Sequence, residues 1–281
     1  MEKKNLSRKL TFVMLALICA VITSCSSGSN DEPDLPPINN NNGNDTSSNL
    51  TITVGKVSFK MIRVDGGTFM MGATQEQQGD AWTNEKPVHE VTLSTYYIGE
   101  TEVTQELWEA VMGSNPSTFR QSRKPVDGIG WYDCETFIHN LNTQTGKKFR
   151  LPTEAEWEFA ARGGNSSRGY KFAGSNIVDD VAWSEGADNS GSHVVASKQA
   201  NELGIYDMSG NVWEWCNDWF GDYTSASIKN PQGPSSGTHH VRRGGSWWHK
   251  KSSCRVSCRA KASLSADKDY GGNMFGLRLA L

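Results

Sequence analysis

The chain has 281 residues, and 28 basic side chains against 31 acidic ones leave it near neutral, at a net charge of −3. Neither a basic surplus nor a basic stripe is present, which argues against nucleic acid as the partner. Apolar residues are 36% of the chain and ten of its side chains are tryptophan, enough for a core built partly of indole.

Lys3, Lys4, Arg8 and Lys9 precede an apolar run from Phe12 to Ile22. That run is short for a membrane span and has the form of a secretory signal. It ends in Ile22-Thr23-Ser24-Cys25, which resembles a bacterial lipoprotein cleavage box. Residues 1–24 are therefore expected to be a signal peptide, with Cys25 lipidated and anchoring the chain to a membrane of the bacterial cell envelope. Residues 25–49 are rich in Ser, Gly, Asp, Pro and Asn and have little apolar surface to bury, so they are expected to be a disordered tether. Residues 50–281, roughly 230 in number, suit one large domain with its own core.

Within that domain Phe59–Val64 and Gly66–Gly72 carry apolar stretches on both sides of a glycine turn, hence a hairpin. His89–Leu93 and Thr95–Ile98 read as a second strand pair. Thr104 is placed to cap a helix from Gln105 to Met112 that Gly113 stops. Asp133 is expected to cap the next helix, whose Cys134, Phe137, Ile138 and Leu141 share one face, making Cys134 a buried core thiol. Thr153 and Glu156 form a capping box for a third helix that ends at Arg162-Gly163-Gly164. From there to Ser253 glycine, serine, asparagine and tryptophan dominate. The class is α+β with few helices, small sheets and long ordered loops.

Cys134, Cys216, Cys254 and Cys258 remain in the domain, and four cysteines allow three pairings among which sequence does not choose. No paired CxxC spacing suggests structural zinc.

Four blocks form a Gly/Trp/Arg framework: Arg150–Glu158 (RLPTEAEWE), Gly204–Trp215 (GIYDMSGNVWEW), Arg242–Trp247 (RRGGSW) and Gly276–Leu279 (GLRL). Together, over about Met61 to Ala280, they resemble the formylglycine-generating-enzyme, or sulfatase-modifying-factor, family. The resemblance implies that family's variant of the C-type-lectin fold. It also implies an oxidase centre in which two cysteines bind Cu(I), a soft ion suited to thiolates. Here those positions hold His249 and Cys254, and Ser246 matches the supporting serine. A His/Cys pair is a poorer soft-metal site, so copper and the oxidase activity are not expected; if the chain is an enzyme, Cys254, His249 and Ser246 carry it. The family's disulfide positions fall on Ile138 with Leu279 and Ala161 with Arg259, both pairs lost together.

The resemblance also implies calcium, held by Asp207 and Glu214 with the carbonyls of Gly210 and Val212. Hard oxygens suit that ion. The alternative pairs Glu214 with an arginine such as Arg243 and turns Asp207 to backbone amides. In this fold the segment from Trp247 to Tyr270 faces ligand, with Trp247 packed inward and Trp248 exposed. Trp248, His249, Lys250, Lys251, Lys268 and Tyr270 are the candidate binding residues for a protein or glycan. Three functions follow as expectations: a lipid-anchored binding module first, a formylglycine-generating oxidoreductase second, and a structural lipoprotein of an envelope or secretion assembly third.

Overall fold

The computed structural model describes residues 48–187, 191–263 and 272–281. The signal, Cys25 and the tether up to residue 47 lie outside the described residues, as do Lys268 and Tyr270. No helix among the described residues is long and apolar enough to cross a membrane.

The chain begins with β1 (Leu50–Val54), β2 (Val57–Val64) and β3 (Gly67–Met71), followed by β4 (His89–Leu93) and β5 (Tyr96–Gly99). The four segments read as strands are strands, but the two expected hairpins do not form. β2 pairs with β1 and β5, whereas β3 pairs with β4. One antiparallel register runs through both halves, from Met61 opposite Gly99 to Met71 opposite His89. The two-residue joints at 65–66 and 94–95 therefore bend two long strands side by side. The amide of Gly66 donates to Thr95 Oγ1, tying one bend to the other. A glycine pair between apolar runs signals a break in a strand as readily as a reversal, and only the long-range pairing decides.

Helix α1 (Gln105–Met112) starts at Thr104, whose hydroxyl accepts from Leu107 N, and stops at Gly113 in the left-handed region. Helix α2 (Trp131–Thr145) begins three residues earlier than expected. Asp133 is not its N-cap; it sits in the first turn and its carboxylate accepts from Gly130 N at 2.8 Å. Helix α3 (Glu154–Ala161) has the expected box, Thr153 and Glu156 each accepting the other's amide. A one-turn helix α4 (Val178–Val181) follows.

The rest is loops and a sheet of β6 (Trp213–Trp219), β8 (His240–Arg243), β9 (Arg259–Ala262) and β10 (Phe275–Gly276) in the order β10-β6-β8-β9. The short β7 (Ile228–Lys229) lies parallel to β4. One apolar cluster joins α1 and α2 to Trp213 and Trp215; another joins Trp157 and Phe159 of α3 to β2, β4 and β5. The fold is α+β, with small sheets and long loops.

Four arginines, Arg243, Arg255, Arg259 and Arg278, are fully buried. Each meets a glutamate: Arg243 with Glu158, Arg255 with Glu85, Arg259 with Glu154 and Arg278 with Glu214. Three of the four arginines come from the C-terminal 27 residues. Their donors also reach carbonyls of distant loops, such as Gly99 O and Tyr206 O for Arg278. Loops too irregular to pair their own backbones are held in this way by ion pairs with several donors each.

Candidate functional site

Two loops meet at the centre of the candidate site. The first, 204–213, turns through Asp207, Gly210 and Asn211, all at positive φ. At Gly210 a Cβ would stand 2.1 Å from Trp183 O, so only glycine allows the backbone of Trp183 to lie alongside. The second loop carries Gly244, Gly245 and Ser246. Gly210 N donates to Gly244 O at 2.7 Å and Trp247 N donates to Asn211 O at 2.8 Å, locking the loops together.

Asp207 and Glu214, the anionic members of the expected calcium set, are both buried. Asp207 Oδ2 accepts from Ala196 N at 2.7 Å. Both oxygens of Glu214 accept from Arg278, at 2.6 to 3.1 Å, and Oε2 also accepts from Trp157 Nε1 at 2.6 Å. The arginine partner of Glu214 is thus Arg278, and not Arg243, which belongs to Glu158. A carboxylate already neutralised by a guanidinium and held by an indole N–H is a poor ligand for a further cation, so Glu214 as placed does not fit calcium. Among the described residues no group of three or more His, Cys, Asp or Glu side chains is arranged to hold a metal.

A third carboxylate stands beside these two. Glu102 accepts from Asn211 Nδ2 at 2.9 Å and from Val212 N at 3.2 Å. Burial first, then the charges of Asp207 and Glu214, raise its pKa well above the usual carboxylate range. Burial likewise pushes Asp207 up to about 6.

In the second loop His249 folds back on its own turn. Its amide donates to Ser246 O, and Ser246 Oγ lies 2.6 Å from Nδ1. Trp213 Nε1 donates to the same Nδ1 at 3.2 Å. An indole N–H is a donor only, so Nδ1 is the bare nitrogen and the ring is neutral. Burial and the nearby Arg242 push its pKa down to about 4. The guanidinium of Arg242 lies over Trp213 and Phe275, 4.9 and 4.7 Å from their centroids.

Cys254 closes the same loop in different surroundings. It is fully buried in a cluster with Phe172, Val178, Val181 and Ala182. Burial, reinforced by Cys258, raises its pKa far above the ordinary thiol value, and burial pushes Cys258 up to about 12. Lys251, one of the candidate binding residues, is paired with Asp179 at 2.8 Å. An imidazole is a poorer ligand than thiolate for cuprous ion, and here Cys254 turns into an apolar cluster while Nδ1 of His249 is taken by Ser246 and Trp213, so the His249/Cys254 pair as placed does not fit a cuprous centre. All four domain cysteines are buried and free. Iodoacetamide is therefore expected to leave Cys134, Cys216, Cys254 and Cys258 unmodified in native protein and to label all four in urea, read by peptide mass.

The outer part of the site is aromatic. Trp247 is 7% exposed and meets Phe119 edge-on at 6.1 Å, while Trp248 is 56% exposed and rests edge-on against Trp247 at 5.5 Å. Lys250 beside it is exposed. The structure thus brings Ser246, Trp248 and His249 to one turn and directs Cys254 inward.

The sulfatase-modifying factor enzyme 1-like domain matches residues 53–281. The chain belongs to the sulfatase-modifying-factor family. A chaperone protein LppX of Paenibacillus barcinonensis is 32% identical over 77% of this chain and 86% of its own length. A formylglycine-generating enzyme of Streptomyces coelicolor is 28% identical over 78% of this chain and 88% of its own. A serine/threonine-protein kinase pkn1 of Chlamydia pneumoniae is 32% identical over 75% of this chain, but only 37% of that protein is covered. Among solved structures, Treponema denticola variable protein 1 superposes with a TM-score of 0.74 at 34% identity, covering 83% of this chain and 98% of that one.

Within this sulfatase-modifying-factor domain, sequence reading passed over Glu102, Arg242 and Arg278. Arg278 stood in a quoted block, Gly276–Leu279, with apolar neighbours on both sides. A charge in an apolar run is itself a signal of a buried partner. Glu102 and Arg242 carry no such local mark.

Proposed function

We propose that this chain is a lipid-anchored protein of the bacterial cell envelope whose sulfatase-modifying-factor domain binds a protein or glycan and does not carry out the family's copper oxidation. The observation that carries this reading is the pair of positions where the resemblance requires two metal-binding cysteines. One is a neutral His249 held by Ser246 and Trp213, and the other is Cys254, buried in an apolar cluster. What remains at the surface of that turn is Trp248, an exposed indole beside Lys250. Aromatic side chains of this kind contribute most of the free energy at recognition surfaces. Two relatives bear names outside oxidation, a chaperone protein and a variable protein. The lipid anchor rests on the sequence around Cys25.

The second reading is a formylglycine-generating oxidase, favoured by the Streptomyces coelicolor relative and by the retained Cys254. One experiment separates them. The purified protein is incubated with Cu(I), oxygen and a peptide bearing a sulfatase cysteine motif, and is also screened on protein and glycan arrays beside Trp248→Ala. We expect no aldehyde, and a binding profile that Trp248→Ala weakens by roughly tenfold or more. Aldehyde that disappears in Cys254→Ser, or empty arrays for both proteins, overturns the binding reading.

A further inference from the structure

Where β6 ends and the chain runs on through residues 219–234, a cavity of about 300 Å³ opens. It shares no residue with the turn of Trp248 and His249. Its volume is at the small end of the range for ligand sites. Trp219, Tyr223 and Ile228 give it apolar lining, and three carboxylates reach it, from Glu154, Asp218 and Asp222.

The charges there do not balance. Glu154 is spoken for: Arg259 Nε and Nη2 each donate to one of its oxygens at 2.7 Å, and Tyr223 Oη donates at 3.1 Å. Arg259 is equally occupied, since its Nη1 donates to Asn84 O and Gly221 O. That pair is closed on itself and offers nothing to an anion. Asp218 is different. It is 4% exposed, accepts one backbone N–H, from Glu154 at 2.9 Å, and has no ion-pair partner among the described residues. Asp222, exposed at the same cavity, adds a further negative charge and forms no ion pair among the described residues.

We propose that this cavity binds a small organic cation, an ammonium or amidinium group on an apolar body, with the charged head received by Asp218. A carboxylate removed from water is stabilised by a counter-charge that also donates hydrogen bonds, and Arg259, the guanidinium in this lining, gives its donors to Glu154, Asn84 O and Gly221 O instead. The apolar body has Trp219, Tyr223 and Ile228 to displace water from. The high pKa of Asp218, pushed up to about 7 by burial and by Glu154, agrees with a carboxyl that lacks its cation.

Benzylammonium is the probe, titrated into the full chain by calorimetry, with benzyl alcohol and benzoate as neutral and anionic isosteres. Asp218→Asn keeps an oxygen for the amide of Glu154 and removes the charge. Thr224→Trp places bulk at an exposed residue of the lining. Benzylammonium is expected to bind saturably, and roughly tenfold or more tighter than either isostere. Asp218→Asn is expected to lose that preference, Thr224→Trp to lose binding, and Trp248→Ala to change neither. Absence of saturable binding in the wild type, equal affinity for the alcohol, or an undiminished Asp218→Asn overturns the proposal. Circular dichroism verifies each variant's fold, and either variant decides alone if the other does not fold.

Discussion

Replacing Arg278 with methionine is expected to cost the domain at least about 3–5 kcal/mol, enough to leave it largely unfolded at room temperature if it is of ordinary stability. The reason is the company this guanidinium keeps. Glu214 takes three of its hydrogen bonds, and the carbonyls of Gly99 and Tyr206 take two more. Burial opposes the charge on Arg278, yet Glu214, then Glu102 and Asp207, hold its pKa above the ordinary arginine value. It is the cation set against three buried carboxylates. Methionine fills much of the volume and removes the charge, leaving Glu214 with only the Trp157 indole. Glu214→Gln is the informative partner variant. It removes one of the negative charges and leaves Arg278 facing Glu102 and Asp207, so its loss is expected to be smaller. Arg278→Lys keeps the charge but not the fork of donors, and belongs between the two. Urea unfolding followed by tryptophan fluorescence measures all three. A loss under about 1 kcal/mol for Arg278→Met, within the range of ordinary surface substitutions or little beyond, would mean that the carboxylates are held some other way.

That cluster also marks where the sequence stopped being informative. The caps of α1 and α3 were legible because a hydroxyl and the amide it accepts lie three residues apart. The strands were legible from their apolar runs, but their partners were not. The two glycine-punctuated joints at 65–66 and 94–95 look like hairpin turns until the shared register of β2–β3 with β4–β5 is seen. The glutamate–arginine pairs span from 64 residues, for Glu214 with Arg278, to 170, for Glu85 with Arg255. Nothing in local composition selects among so many arginines. The site divides in the same way. The inward Trp247 and outward Trp248 followed from their place after Gly244-Gly245-Ser246, whereas the neutral state of His249 depends on Trp213, 36 residues away. Lys268 and Tyr270 lie outside the described residues, so that part of the expected surface rests on the sequence.

Asp218 provides the second large effect, and its sign is opposite to that of most carboxylates. A surface-paired aspartate has a lowered native pKa and stabilises the fold as pH rises. Asp218 is pushed up to about 7 by burial and then by Glu154, against an ordinary value of 3.8. Between those values the native protein therefore holds a proton that the unfolded chain has released. Its contribution is complete below the unfolded value, declines as pH climbs, and is gone above the folded one. From pH 5 to pH 8 this single group is expected to remove roughly 2–3 kcal/mol of stability. Asp127 and Asp207, each raised to about 6 chiefly by burial, push the same way over the lower part of that interval. Asp218→Asn keeps an acceptor for the amide of Glu154 and has no proton to lose. The variant is expected to match the wild type near pH 5 and to exceed it by about 2 kcal/mol or more at pH 8. Urea titrations at half-unit steps across that interval check it through the difference between the two curves. Because Asp127 and Asp207 stay in both proteins, their share cancels in that difference. A difference that does not change with pH would mean that Asp218 is already ionised at pH 5 and that a counter-charge reaches it.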